Sequence, residues 1–226
     1  MAAKFKIIAL IAVKGDSERI PRKNIKSFHD TSLLELKIRQ LLKSDCVDKI
    51  VVSSESPEAI EIASSFEDIL IHKRDPFYSS SDVPMSNVYA YLASEMNCED
   101  IMWVPVTNPL ISPLVYKDAV KQYLNLENEH DCLLSCVKIN EYLLKDFKPL
   151  NFTRNPWQRS QDLEGIHALS FAVNILKRRD MIKWGSLVGE NPKFIELSRE
   201  ESTDIDFMDD FDYCEHIFKR NPGKYL

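Results

Sequence analysis

Two groups of residues in this chain have the types and spacing to do chemistry. The first is a cluster of cations: Lys14, Arg19, Arg22, Lys23 and Lys26 fall within a short stretch of a chain whose formal net charge is -6. Positive charge concentrated against an acidic background suits a polyanion such as a triphosphate, because charge-assisted bonds to phosphate oxygens are strong. A solvated basic loop has the same composition. Pro21, which stiffens the stretch, and Asn24, whose amide can read a base edge, favour a binding loop. The second group is Asp204-Ile205-Asp206. Two carboxylates two apart on an extended segment point the same way, and such a pair suits a hard divalent cation, Mg²⁺ or Mn²⁺, that shares phosphate ligands. Asp209, Asp210 and Asp212 follow, so the run also reads as the acidic start of a solvated helix. No histidine is placed as a base: His29, His72, His167 and His216 read as surface or core residues. Proton removal is left open between Asp206 and a hydroxide held by the metal.

The elements that must position these groups follow from the pattern. An apolar run, 7–13, ends at Lys14-Gly15 and predicts a central strand buried on both faces, with the cationic loop at its carboxyl end, where ligands bind in parallel sheets. Helical spacing of Leu33, Leu34, Ile38, Leu41 and Leu42 predicts a helix over 31–42, capped by Asp30 or Thr31. A second buried strand is expected over 49–53, a helix from Ser56-Pro57 to about Phe66, and a third strand over 69–72. A loop over 73–82, a helix over 86–96, a strand over 100–106, a helix over 114–124 and a strand over 130–137 continue the alternation. Such alternation implies a mostly parallel sheet with helices on both faces. The stretch 140–165 breaks the pattern, and a long irregular excursion is usually functional or intersubunit. A helix is expected over 208–219.

These residues carry a resemblance. Ser17, Arg19, Ile20, Pro21, Lys23 and Asn24 match the N-terminal signature of the CMP-sugar synthetases, the acylneuraminate cytidylyltransferase family, A-R-x-x-S-K-[GR]-I-P-x-K-N. Lys14 stands for its arginine and Glu18 for its lysine. Val51 to Glu55 resembles V-V-S-T-D, Thr107-Asn108-Pro109-Leu110 keeps a T-x-P-L skeleton, Arg159 to Leu163 is similar to R-x-Q-D-L, and Ser202 to Asp206 matches S-x-D-I-D. The resemblance implies a three-layer α/β/α, Rossmann-like nucleotidyltransferase sandwich in one domain, 1–226, with 140–165 as a dimerisation arm. It implies that Lys14, Arg19 and Lys23 neutralise phosphate, Lys23 at the α-phosphate, with Ser17 beside them, and that Asn24 and Arg74 serve the base and Ser86 the ribose. It assigns Thr107, Asn108, Arg159, Gln161, His167 and Ser170 to an acceptor, and Asp204 and Asp206 to the metal. Where the family carries a glutamine, two arginines and an asparagine, this chain has Pro105, Ile111, Ala168 and Ser170.

Composition bounds the rest. At 226 residues and 44% hydrophobic content the chain supports one full core. Five cysteines without framework spacing suit a reducing, cytoplasmic compartment, and Cys132 and Cys136 read as buried thiols. The N-terminal apolar run lacks a cleavage site and reads as a strand; no stretch is long enough to span a membrane. With a pI near 5.5 and no basic stripe, nucleic acid is not an expected partner. Five glycines and no G-x-G-x-x-G after the first strand argue against a dinucleotide cofactor. The expectation is a homodimeric transferase that joins CTP to an anionic sugar acid other than ordinary sialic acid and releases pyrophosphate. The rival, for which the reversed charge at Glu18 speaks, is a catalytically impaired homologue that binds nucleotide or a protein partner for regulation or assembly.

Overall fold

The structure, a computed structural model, describes residues 3–226. The chain runs β1 (Phe5–Ala12), β2 (Ser27–Phe28), β3 (Thr31–Ser32), α1 (Leu33–Ser44), β4 (Lys49–Ser54), α2 (Pro57–Ser64), β5 (Ile69–Lys73), α3 (Met85–Glu95) and β6 (Cys98–Trp103). It continues through α4 (Pro113–Leu124), β7 (Cys132–Ile139), β8 (Leu144–Lys145), β9 (Lys148–Pro149), β10 (Ile166–Lys177), α5 (Arg178–Trp184), β11 (Pro192–Leu197), α6 (Met208–Arg220) and α7 (Pro222–Tyr225). Seven strands form one sheet in the order β11-β7-β10-β6-β1-β4-β5, parallel except for β10, which runs antiparallel to both β6 and β7.

Strand β1 lies between β6 and β4, and its apolar run serves both faces. Ile7, Ala9 and Ile11 face one core, built with α1, α4 and α6, while Ile8 and Leu10 face the other, built with α3 and α5. This two-sided burial is why the run does not alternate with polar residues, and it makes the molecule an α/β/α sandwich. Local signals start the helices: Ser32, not Asp30 or Thr31 as expected, caps α1 by accepting from the Glu35 N–H, and Ser56 caps α2 by accepting from the Ala59 N–H, with Pro57 in its first turn.

Three segments differ from the sequence expectation. The strand expected over 100–106 stops at Trp103, just before Pro105, which has no N–H to give a ladder. Residues 166–197, to which the pattern assigns no element, form β10, α5 and β11. The first half of β10 is largely exposed, and a β-bulge between Leu169 and Asn174, with Phe171 at φ 51, breaks its period, so alternation is lost there. Within 140–165 a small hairpin, β8–β9, turns at Asp146 and Phe147, both with positive φ (51 and 61), as a two-residue hairpin turn requires. Its tip residue Phe147 is 95% exposed. Among the described residues no helix is long and apolar enough to cross a membrane.

Candidate functional site

The loop that leaves β1 and the extended segment before α6 meet at the carboxyl end of the sheet and form the walls of a cleft of about 460 Å³. Lys14, Ser17, Arg19, Lys23 and Asn24 line it from the first side, Asp204 and Asp206 from the second, and Pro105 and Thr107 from the turn after β6. Residues from the two ends of the sequence are brought into direct contact: Arg19 pairs with Asp206 at 2.8 Å, and the Lys23 Nζ donates to the Ile205 carbonyl at 2.5 Å.

Several features fix the loop. Asn24 Nδ2 donates to the Lys14 carbonyl at 2.9 Å and closes the loop on itself. Arg22 takes a left-handed conformation (φ 55), and a single 3-10 turn over Lys23–Ile25 follows. At the loop entry the Gly15 N–H donates to Glu55 Oε1 at 2.7 Å, and a Cβ on Gly15 would stand 2.7 Å from that of Ser56. The other Glu55 oxygen accepts from Ser79 Oγ at 2.6 Å and from Arg74 Nη2 at 3.0 Å. Partial burial pushes the Glu55 carboxyl up, but the donors from Ser79 and Gly15 and the charge of Arg74 outweigh it and hold the group below the usual range. Glu55 is therefore a charged brace that ties the loop to β4 and to the segment after β5.

The charges in the cleft perturb one another. Burial pushes the Lys23 ammonium down, against the upward pull of Asp204 and Asp206. Asp204 is open to solvent on one side yet enclosed by the cleft walls; this enclosure raises its carboxyl, its bond with Thr107 lowers it, and the like charge of Asp206 raises it further. Three cations, Lys14, Arg19 and Lys23, face four carboxylates, Asp16, Glu18, Asp204 and Asp206. A lining with more negative than positive groups repels a triphosphate unless positive charge is added. A divalent cation shared between the aspartates and phosphate oxygens would add it. Among the described residues no group of three or more His, Cys, Asp or Glu forms a self-sufficient metal cage; the carboxylate pair fits Mg²⁺, which keeps several ligands from water and substrate phosphates. Glu18, whose sign opposes a phosphate site, accepts from Ser81 Oγ within the lining of the same cleft.

The other residues singled out in the sequence lie outside this cleft. Arg74 is 5% exposed and spends its guanidinium on Glu55 and the Val13 carbonyl, beneath the loop rather than at its surface. Ser86 sits in the first turn of α3, where its backbone carbonyl and Cβ are the near neighbours of Gly185 at the end of α5. Asn108 is 1% exposed and donates its amide inward, to the Thr203 carbonyl at 3.0 Å. Ser170 donates to Ser135 Oγ at 2.8 Å within the sheet, and His167 meets Glu196 at 3.2 Å beside a separate cavity of about 480 Å³. Arg159 pairs with Asp162 in the arm, and Gln161 lies in the same exposed turn. Ile111 is 0% exposed and sits in the core. Sequence reasoning gave no role to Glu55, Ser79 or Lys37. For Glu55 the signal was its place at the carboxyl end of a parallel strand. For Lys37 it was a lysine inside a helical apolar stripe.

A family model described as cytidylyltransferase matches residues 8–171. Among curated proteins, the pseudaminic acid cytidylyltransferase of Campylobacter jejuni is 26% identical, over 96% of this chain and 97% of its own length. N-acylneuraminate cytidylyltransferase A of Danio rerio is also 26% identical, over 92% of this chain and 50% of its own length. Among solved structures, CMP:2-keto-3-deoxy-manno-octonic acid synthetase complexed with CTP superposes with a TM-score of 0.70 at 10% identity, covering 96% of this chain and 99% of that one. The 4-diphosphocytidyl-2C-methyl-D-erythritol synthase of Anaerococcus prevotii does so with 0.68 at 9% identity, over 95% and 96%. At such identities these two superpositions speak for the fold alone.

Proposed function

This chain belongs to the cytidylyltransferase family, and we propose on that premise that it transfers the CMP moiety of CTP to the hydroxyl of an anionic sugar acid and releases pyrophosphate. The observation that carries this reading is the convergence of Lys14, Arg19 and Lys23 with Asp204 and Asp206 in one cleft at the carboxyl end of β1. In the proposed reaction the acceptor hydroxyl attacks the α-phosphorus in line and the bond to the bridging oxygen breaks. Lys23 meets charge on the α-phosphate, while Lys14 and Arg19 meet charge on the departing phosphates; preorganised charge of this kind supplies most of the acceleration in such transfers. Asp204 and Asp206 would hold Mg²⁺, which when bound supplies Lewis-acid charge to the phosphates. A cation held there would offset the mutual repulsion of the two carboxylates.

For the acceptor, the cleft wall carries Pro105, which offers neither a side-chain nor a backbone donor. A wall position without a donor leaves the substrate group that meets it without a partner, at about 1–3 kcal/mol. This supports a deoxy or otherwise more apolar nonulosonic acid over N-acetylneuraminic acid. The relatives' names, pseudaminic acid and N-acylneuraminate cytidylyltransferase, bracket that chemistry. We assign Thr107 to the acceptor side of the cleft. Arg159 and Gln161 fit as acceptor contacts delivered by the arm of a second copy in a homodimer. The exposed Leu144, Phe147 and Trp157 on the arm support such an association.

The deciding experiment measures pyrophosphate release with CTP, Mg²⁺ and a panel of nonulosonic and ulosonic acids. Turnover of one acid far above the others, with N-acetylneuraminic acid poor, is the expected result. Efficient use of N-acetylneuraminic acid refutes the acceptor assignment, and tight CTP binding without turnover of any acid favours the impaired homologue instead.

A further inference from the structure

Helix α1 turns its apolar stripe into the core: Leu33, Leu34, Leu36, Ile38 and Leu41 are all at most 1% exposed. In the middle of that stripe stands Lys37, 0% exposed. A methionine would fill the same volume without desolvating an amine, so for packing alone a lysine is the costlier choice. What the amine adds is two hydrogen bonds, to the Asn108 carbonyl at 2.8 Å and to Tyr116 Oη at 2.6 Å. One turn further on, Gln40 Nε2 donates to the Pro109 carbonyl at 2.7 Å. Two consecutive carbonyls of the turn after β6 are thus held from below by α1.

That turn in turn carries the acidic segment. Asn108 Nδ2 donates to the Thr203 carbonyl at 3.0 Å, and the Ile205 N–H donates to the Thr107 carbonyl at 2.9 Å. Asp204 lies between these two anchored residues. Asp206 has a second support from α6, where the Asp210 carboxylate accepts the N–H groups of Asp206 and Phe207 at 3.0 and 2.8 Å. The path from Lys37 to Asp204 is therefore continuous, running from the buried amine through Asn108 to the segment at the cleft surface.

We propose that Lys37, acting through Asn108, is a positioning residue for the carboxylate pair: it sets the height of the Thr107–Asn108 turn and thereby the placement of Asp204 in the cleft. The proposal rests on the reading of Asp204 and Asp206 as cation ligands. Lys37 touches neither nucleotide nor metal; its effect is on the geometry of the groups that do. Residues behind metal ligands change metal affinity by about 10–100-fold when removed, and that range sets the expectation.

The test compares the 226-residue chain with its Lys37→Met and Asn108→Ala variants. Two quantities are read: the Mg²⁺ concentration that half-saturates turnover, and the factor by which Mg²⁺ tightens CTP binding in calorimetry. Each variant should need on the order of 10-fold more Mg²⁺ and lose most of the Mg²⁺ enhancement, while CTP affinity without metal stays at the wild-type value. The double variant should be no worse than the poorer single one, since both act on one path. A merely structural role would lower stability and leave the metal enhancement intact, which overturns the proposal. If Lys37→Met does not fold, Asn108→Ala decides alone, and a wild-type metal response there is equally fatal. A wild-type protein whose CTP binding is indifferent to Mg²⁺ would overturn the reading of the carboxylates and this proposal with it. A metal-responsive wild type with unchanged variants overturns only the proposal.

Discussion

Lys37 makes the stability of the fold rise with pH above neutrality, and the effect can be sized. Complete burial pushes its ammonium from 10.5 down to about 7. Between those values the unfolded chain holds a proton on this group that the folded chain does not, so folding stability rises with pH at up to about 1.4 kcal/mol per pH unit. Below pH 7 both states are protonated and the contribution is flat. Going from pH 7 to pH 9 the fold should gain about 2 kcal/mol, since the group is still half titrated at the start. In a chain of this length that is roughly 4–8 °C in melting temperature. Lys37→Met removes the titration and leaves other groups in place. The Asn108 carbonyl and Tyr116 hydroxyl lose a donor in the variant, but that loss is the same at every pH. The assay is thermal unfolding of both proteins from pH 5.5 to 9 at fixed ionic strength. The wild-type melting temperature, taken relative to the variant, should climb by that amount above pH 7 and stay level below pH 6. A difference independent of pH would show that the amine reaches water and that the argument from burial is wrong.

Other perturbations address the cleft. Lys23→Ala should abolish turnover and weaken CTP binding by about 1.5–3 kcal/mol, the size of a charged hydrogen bond, and lower the ligand-free melting temperature by roughly 2–4 °C through the lost bond to the Ile205 carbonyl; unaltered CTP affinity by calorimetry refutes the phosphate assignment. Asp206→Asn should raise the Mg²⁺ requirement far more than the CTP requirement at saturating metal, and a normal metal titration would reduce the acidic run to a helix start. Phe147→Ser, at the hairpin tip, should shift the mass in light scattering from two chains to one; a wild type that is already monomeric, or a variant that stays dimeric, removes the arm from the assembly.

How much of this was legible beforehand depends on whether the signal was local. The cationic loop after β1 stands out because its charge density contrasts with an acidic chain and because an apolar strand precedes it directly. The Asp204–Asp206 pair is equally local. The destinations of Arg74 and Asn108 were not legible, because both look like polar loop residues and are internal only through partners far away in sequence, Glu55 and Val13 for one and Thr203 for the other. Strand β10 was hidden by the bulge at Phe171, which breaks the alternation that would reveal it. Lys37 was visible as an anomaly in a helical stripe, but only the turn it supports gives that anomaly a meaning.

The contact between Lys23 and Ile205 spans 182 residues, whereas the brace between Gly15 and Glu55 spans 40. Closing the longer loop costs about 1.3 kcal/mol more in chain entropy. The cationic loop can thus be set by near-neighbour pairing of β1 and β4, while the aspartates join it only when the segment before α6 docks. A chain arrested before that docking would expose the cationic loop without its carboxylates. Assembly of the acidic half is accordingly expected to report the long-range closure between the two ends of the chain, and the proposed cation site is complete only with it.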